Sequence, residues 1–213
     1  KAAEAAQQAA RDAYMTEAEA LTAARREAGE RLAQAVMAEL GPLKLDKARF
    51  RTAVEPLGEA RAGAAGLDRV AFEVSTNPGA PFGDLGAIAS GGELARFALA
   101  LKAALAGRGG AHQPLMIFDE VDQGVGGAVA DAVGLRLRGL AASAQVLVVT
   151  HSPQVAARAD AHWRIAKAGE GDRLRTAVEV LPPDDREEEI ARMLAGAQIT
   201  DAARAAARAL IGA

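Results

Sequence analysis

The spacing of apolar residues changes several times along the chain, and each change marks an expected element. The first stretch, 1–40, is rich in Ala, free of Pro and otherwise filled with Glu, Gln, Arg and Leu, which predicts one long helix. Within it Tyr14, Ala18, Leu21, Arg25, Ala28 and Leu32 alternate steps of four and three, the spacing of a coiled-coil seam. Arg25 and the nearby Gly29 interrupt that seam, and a solvated Ala-rich helix is the competing reading. Gly41 and Pro42 close the helix, since Gly suits the position beyond a helix end and Pro cannot continue one.

The period then drops to two. Phe50, Thr52 and Val54, then Val70, Phe72 and Val74, alternate on either side of the Gly/Ala stretch 58–66, which predicts two antiparallel strands. A turn-rich passage, Asn77-Pro78-Gly79-Ala80-Pro81, leads to Gly86 and a helix over 93–106. Beyond it the pattern alternates: strand 115–118, helix 126–140 with Val129, Val133, Leu137 and Leu140 on one face, strand 146–150, helix 153–160. This is the rhythm of a parallel α/β sheet. The uninterrupted run Val146-Leu147-Val148-Val149 predicts a strand buried on both faces. Two more strands, 161–167 and 174–181, a helix from Asp185, whose spacing to Glu188 is that of a capping box, and a helix after Thr200 complete the expected order.

Composition narrows what this framework can do. At 213 residues and 50% hydrophobic, the chain can bury one sizeable core with an appended element. Aromatic residues are only 3%, so the core is built from Ala, Val, Leu and Ile, and an aromatic platform for stacking bases is excluded. The net charge of −3 offers no global positive field for nucleic acid, so any such contact is local or lies elsewhere. Arg25, Arg26 and Arg31, or Arg204 and Arg208, are the clusters able to contact phosphate, with a solvated helix face as the plainer reading. The absence of cysteine removes disulfides, thiolate zinc sites and thiol nucleophiles, and fits a reducing cytoplasm. No apolar run approaches the roughly 20 residues a bilayer-spanning helix needs, and Lys1 reads as a cut inside a longer chain.

Chemistry concentrates at the ends of the expected strands. Leu115-Met116-Ile117-Phe118-Asp119-Glu120 is an apolar strand tipped by two carboxylates, a place where nucleoside triphosphatases present a Mg²⁺ ligand beside phosphates. Asp119 would hold the metal, directly or through water, and Glu120 would accept a proton from an attacking water or orient it. Ser90-Gly91-Gly92-Glu93-Leu94 enters a helix, where glycines let backbone N–H groups approach an anion, and Ser90 can cap the helix and donate to a phosphate oxygen. His151 follows strand 146–150 directly, at the C-terminal edge that Asp119 and Glu120 would share. Asp122-Gln123-Gly124-Val125-Gly126-Gly127 forms the exit toward the next helix, with Asp122 placed to face a partner molecule. His112 and His162 have no comparable setting.

The order of these motifs resembles the ABC ATPase family: Ser90 to Leu94 its signature motif, Leu115 to Glu120 its Walker B strand, Asp122 and Gly124 its D-loop, His151 its switch histidine. Asp119-Glu120-Val121-Asp122 followed by Gly-rich sequence is similar to SMC-type heads rather than transporter subunits. Thr76-Asn77-Pro78-Gly79, Ala89 to Leu94, Thr150 to Ala156 and Glu189 to Leu194 resemble the bacterial RecN family in particular. No Gly-x-x-x-x-Gly-Lys-Ser/Thr string occurs, and in the family that phosphate-binding loop belongs to the N-terminal head segment.

The resemblance implies an α/β fold, half of an ABC-type ATPase head with a mostly parallel sheet flanked by helices. Residues 1–40 would be the returning arm of an antiparallel coiled coil and 41–213 the C-terminal lobe of a split head. It implies ATP and Mg²⁺ as cofactors, with Ser90, Gly91, Gly92 and Glu93 contacting the γ-phosphate of ATP held by a second head in a homodimer. Asp119 would be the metal ligand, and Glu120 and His151 the catalytic pair. The N-terminal half of the same head and DNA are the other implied partners, with no membrane, in a cytoplasmic, nucleoid-associated protein of double-strand-break repair. The lone chain would be inactive as an ATPase. A DNA-bridging or structural protein using nucleotide as a slow switch is the alternative, and a transporter nucleotide-binding subunit a more distant one.

Overall fold

The computed structural model describes residues 1–88, 90–106, 115–168, 175–196 and 198–212. Ala89, His112 and Leu174, which figure in the expectations above, lie outside them. The chain divides into two compact units, Lys1–Leu105 and Ala106–Ala213.

The first unit is built on helix α1, Ala2–Leu40, which lies against the sheet strand β1 and helix α3. Strands β1 (Arg49–Pro56) and β2 (Asp68–Ser75) pair antiparallel, with Phe50 opposite Val74, Thr52 opposite Phe72 and Val54 opposite Val70. The alternating triplets thus meet face to face, and the Phe50 and Phe72 rings lie 5.6 Å apart. A short strand, β3 (Gly83–Asp84), adds to the edge of β2, and helices α2 (Leu85–Ile88) and α3 (Gly91–Leu105) follow. Val36, Leu40, Leu43, Phe97 and Leu99 are almost wholly buried. The other face of the hairpin is polar, with Arg51 paired to Glu73 and Arg69 to Glu55.

The stripe with coiled-coil spacing on α1 is used in part by the chain's own hairpin. Tyr14 donates its hydroxyl to the Gly63 carbonyl, Thr22 to the Asp68 carboxylate, and Arg25 to the Ala65 carbonyl. Arg25 therefore sits in the stripe because it answers buried Asp68, 3.6 Å away. Gly29 likewise marks a close approach: a Cβ there would lie 3.0 Å from the Thr52 Cβ, so any larger residue would need Thr52 or α1 to shift by a few tenths of an ångström.

The second unit contains a βαβ crossover. Strands β4 (Leu115–Asp119) and β5 (Gln145–Val149) are parallel, with Asp119 opposite Val149, and α4 (Gly127–Ala141) connects them, as parallel pairing requires. Helix α4 packs on β5 and on the short helix α5 (Pro153–Ala157), burying Ala130, Val133, Gly134, Leu137 and Leu140. Strands β6 (Trp163–Ala168) and β7 (Arg175–Val180) pair antiparallel. Helices α6 (Pro183–Ala195) and α7 (Asp201–Ile211) bury Ile190, Ala191, Ala203 and Ala207 against Ala156 and Ala157 of α5. Among the described residues the parallel pairing is confined to β4 and β5, and the other ladders are antiparallel.

Three expectations are corrected here. Strand β5 is not buried on both faces: Leu147 is 38% and Val149 43% exposed, and Leu115 and Ile117 on β4 are exposed too, because α4 covers one face and, among the described residues of this unit, no helix is packed on the other. Helix α5 stops at Ala157 rather than 160, where the Arg186 guanidinium takes the carbonyls of Ala157 and Ala159 and so satisfies the helix end. Asp185 is not a cap, since α6 begins at Pro183; Asp184 and Asp185 instead place negative charge in its first turn, where the helix dipole favours it. Among the described residues no helix is long and apolar enough to cross a membrane.

Candidate functional site

The signature-like segment belongs to the first unit. Ser90 precedes α3, and its backbone N–H and hydroxyl both donate to one carboxylate oxygen of Glu93, at 3.0 and 2.8 Å. Half of a capping box is therefore formed: the carboxylate at the third helical position returns to the N-cap amide. The Ser90 hydroxyl is bound to Glu93 rather than to the helix, which differs from the cap expected for it. Gly91 and Gly92 open the helix, and Arg96, one turn beyond Gly92, donates to the Gly92 carbonyl and to the carbonyl of Leu43 just after α1. Arg96 thereby ties the start of α3 to the root of α1. The period of a helix places Arg96 beside Gly92, but its tie to Leu43 has no mark in the sequence.

The Ser90 N–H and then its hydroxyl hold the Glu93 carboxyl below its ordinary value of 4.5. Glu188 is held low by hydrogen bonds from Arg204, and buried Glu189 by those from Arg192. For each, the folded pKa lies below the unfolded one, so the unfolded chain binds more protons as pH falls and stability rises with pH in that window. The urea midpoint is expected to decline first as pH falls through about 6.5, where the unfolded chain protonates His162 before the folded one does, and more steeply below about pH 5, where these carboxylates follow. Glu189→Gln should flatten the acid limb; an unchanged limb in that variant would remove Glu189 from the account.

The second unit assembles the other motifs. Because β4 and β5 run parallel in register, their C-terminal ends lie side by side, and Glu120, just past β4, donates its N–H to the Val149 carbonyl at 3.0 Å. Asp119, Glu120 and His151 are all exposed along this edge, with His151 on the loop leaving β5. Glu120 has φ of 49°, left-handed backbone that costs a non-glycine residue about 1–2 kcal/mol. It is held there from both sides, since the Gln123 N–H donates to the Glu120 carbonyl. Strain retained at one exposed carboxylate is characteristic of functional positions. Gly124 has φ of 73° and Gly127 of 54°, which explains glycine at both places in this exit loop.

Asp122 differs from expectation. It does not face outward to a partner: it is fully buried, accepts a hydrogen bond from the Thr150 hydroxyl, and its second oxygen has no partner. Thr150 carries no evident chemistry in the sequence beyond its place next to His151, and its link to Asp122 was missed. The arginines considered for phosphate contacts are largely committed to carboxylates: Arg31 to Glu27, Arg204 to Glu188 and Asp201, Arg208 to Glu187. His162 is half-buried, and burial, then Arg186, push its pKa down.

Among the described residues no group of three or more His, Asp or Glu is arranged to hold a metal by itself. The exposed Asp119 carboxylate at the strand edge fits Mg²⁺, which takes one or two protein carboxylates and completes its shell with phosphate oxygens and water.

No protein-family model matches the chain. In fold it is similar to the Smc head domain with a coiled coil and joint from Pyrococcus yayanosii, with a TM-score of 0.59 at 21% identity over 76% of this chain and 28% of that one. The fold is thus that of part of an Smc head domain. In sequence it is 43% identical to the DNA repair protein RecN of Rickettsia bellii over 90% of this chain and 34% of the relative. It is also 43% identical to RecN of Streptomyces coelicolor over 94% of this chain and 37% of the relative. The chain belongs to the RecN family, and spans about a third of the length of the curated relatives it matches.

Proposed function

We propose that this chain is the C-terminal lobe of a split ATPase head in an SMC-like protein of DNA double-strand-break repair, with 1–40 as the returning coiled-coil arm. The observation that carries the reading is the shared strand edge, where Asp119, Glu120 and the loop bearing His151 lie together in a chain with no phosphate-binding loop of its own. ATP and Mg²⁺ are the cofactors. Asp119 would ligate Mg²⁺, which supplies neutralisation of phosphate charge when bound. Glu120 orients or deprotonates the attacking water, and His151 donates toward the terminal phosphate.

Ser90, Gly91, Gly92 and Glu93 are assigned to the γ-phosphate of nucleotide on a second head. Ser90 must then release Glu93 to donate to phosphate, a local exchange of one acceptor for another. Head engagement on ATP and release on hydrolysis follow from such composite sites. The N-terminal half of the head supplies the missing loop, and the bare apolar faces support its presence: Leu115, Ile117, Leu147 and Val149 on one sheet, Trp163, Ile165, Val178 and Val180 on another. DNA as the substrate of the assembly is supported by the relatives' being DNA repair proteins, and a cytoplasmic, nucleoid-associated location belongs to the same proposal.

The test is Mg²⁺-ATP binding and hydrolysis by this chain alone and after addition of the N-terminal head segment. Activity is expected only in the pair. Turnover by the lone chain would overturn the split-head reading, and none in either would favour a structural role.

A further inference from the structure

The loop that bears His151 is fastened at both neighbours of that residue. On one side the Thr150 hydroxyl donates to buried Asp122; on the other the Ser152 N–H donates back to the Thr150 oxygen at 2.9 Å. Ser152 in turn caps α5, accepting from the Val155 N–H, and donates to the Gln154 side chain at 3.0 Å. A hydroxyl has one proton to give, and Thr150 gives it to Asp122, leaving its lone pairs for Ser152. The chain of bonds therefore has one direction, from the Ser152 amide through Thr150 to a carboxylate, and each bond polarises the next. Asp122, 0% exposed, keeps one oxygen without a partner. Burying a carboxylate so incompletely satisfied is costly, and a hydrophobic pair would hold the two segments together at lower cost. The arrangement is therefore better explained by what it positions than by stability.

We propose that Asp122 and Thr150 form an internal clamp that fixes the loop presenting His151 relative to the turn presenting Glu120. They are positioning residues rather than catalytic ones: neither reaches outward, and both act through His151. The sequence links support this, since Asp122 follows Glu120 by two positions and Thr150 directly precedes His151. Any shift of the exit loop would move His151 through one partly buried hydrogen bond. This inference rests on the proposed ATPase reading.

The experiment is a double-mutant cycle in the full-length protein, reading kcat and KM for ATP. Thr150→Val, which keeps the shape and removes the hydroxyl, is expected to lower kcat by roughly tenfold with KM unchanged, about 1.4 kcal/mol. Thr150→Ser should restore most of it. In a His151→Ala background, Thr150→Val should cost nothing further, because its effect passes through the imidazole. A thermal melt of each variant separates loss of fold from loss of position, and the serine variant keeps the test open should the valine variant fold poorly. An undiminished kcat in Thr150→Val, or a loss that adds fully to that of His151→Ala, overturns the clamp while leaving the ATPase reading intact. If Glu120→Gln and His151→Ala themselves leave hydrolysis unchanged, the ATPase reading fails and the clamp with it.

Discussion

Replacing Glu120 by Gln in the full-length protein is expected to reduce ATP hydrolysis by on the order of 10²–10⁴-fold, the range that a positioned general base contributes, while ATP binding persists. The substitution keeps the shape of the side chain and removes its negative charge, so it isolates the carboxylate. The backbone sharpens the test. Glu120 sits at φ of 49°, where a Cβ is unfavourable and glycine is not. Glu120→Gly should therefore lose hydrolysis as fully as the glutamine variant without lowering the melting temperature. A residue kept for stability would instead lower the melting temperature when replaced by glycine, with hydrolysis falling only as far as the fold is lost. Single-turnover hydrolysis and nucleotide-binding titrations on both variants decide it; hydrolysis within threefold of the parent in Glu120→Gln would remove Glu120 from the mechanism.

Why this carboxylate could be singled out from sequence, while Thr150 could not, depends on the range of the interactions involved. An apolar run that ends in Asp119-Glu120 announces a strand edge by itself, because strand length and apolar pattern are local properties. The antiparallel β1–β2 hairpin was legible for the same reason: period two fixes which side chains share a face, and the two alternating triplets fall opposite one another. The apolar face of α4 followed from period 3.6. The inward turn of Asp122 depends on a hydroxyl contributed by a different strand end, and nothing near Asp122 in the sequence reports it. Burial of β5 failed for a related reason: Val146 to Val149 are apolar whether or not a second layer is present, so composition states that a face wants covering and not that this chain covers it. Helical glycines are ambiguous in the same way. Gly29 reads as a weak point in a seam until Thr52 is seen against it.

Gly134 repeats that lesson at the joint between α4 and α5, where the largest stability effect is expected. A Cβ at Gly134 would lie 2.9 Å from the Arg158 Cγ and 3.2 Å from both the Gln154 carbonyl oxygen and the Val155 Cα, two of them backbone atoms that cannot move aside cheaply. One turn earlier on α4, Asp131 accepts from Arg158 Nε and Nη2 at 2.9 and 2.7 Å. The Arg158 side chain is 8% exposed and that of Asp131 is 31% exposed, so removing the carboxylate takes a bidentate acceptor from a buried cation. Breaking a buried pair in this way costs about 3–5 kcal/mol, and the partial exposure of Asp131 brings the expectation for Asp131→Ala to about 2–3 kcal/mol. Asp131→Asn keeps an acceptor for Arg158 and should lose less. Gly134→Ala gains about 1 kcal/mol of helix propensity and loses about 1–3 kcal/mol to overpacking, for a net loss. Both substitutions act through Arg158, so the double variant should lose less than the sum of the singles. Urea unfolding of this chain and its four variants measures all of these. Strict additivity would mean that the ion pair and the glycine contact are independent; stability unchanged in Asp131→Ala would mean that Arg158 finds its compensation elsewhere, and that α4 and α5 are held by apolar packing alone.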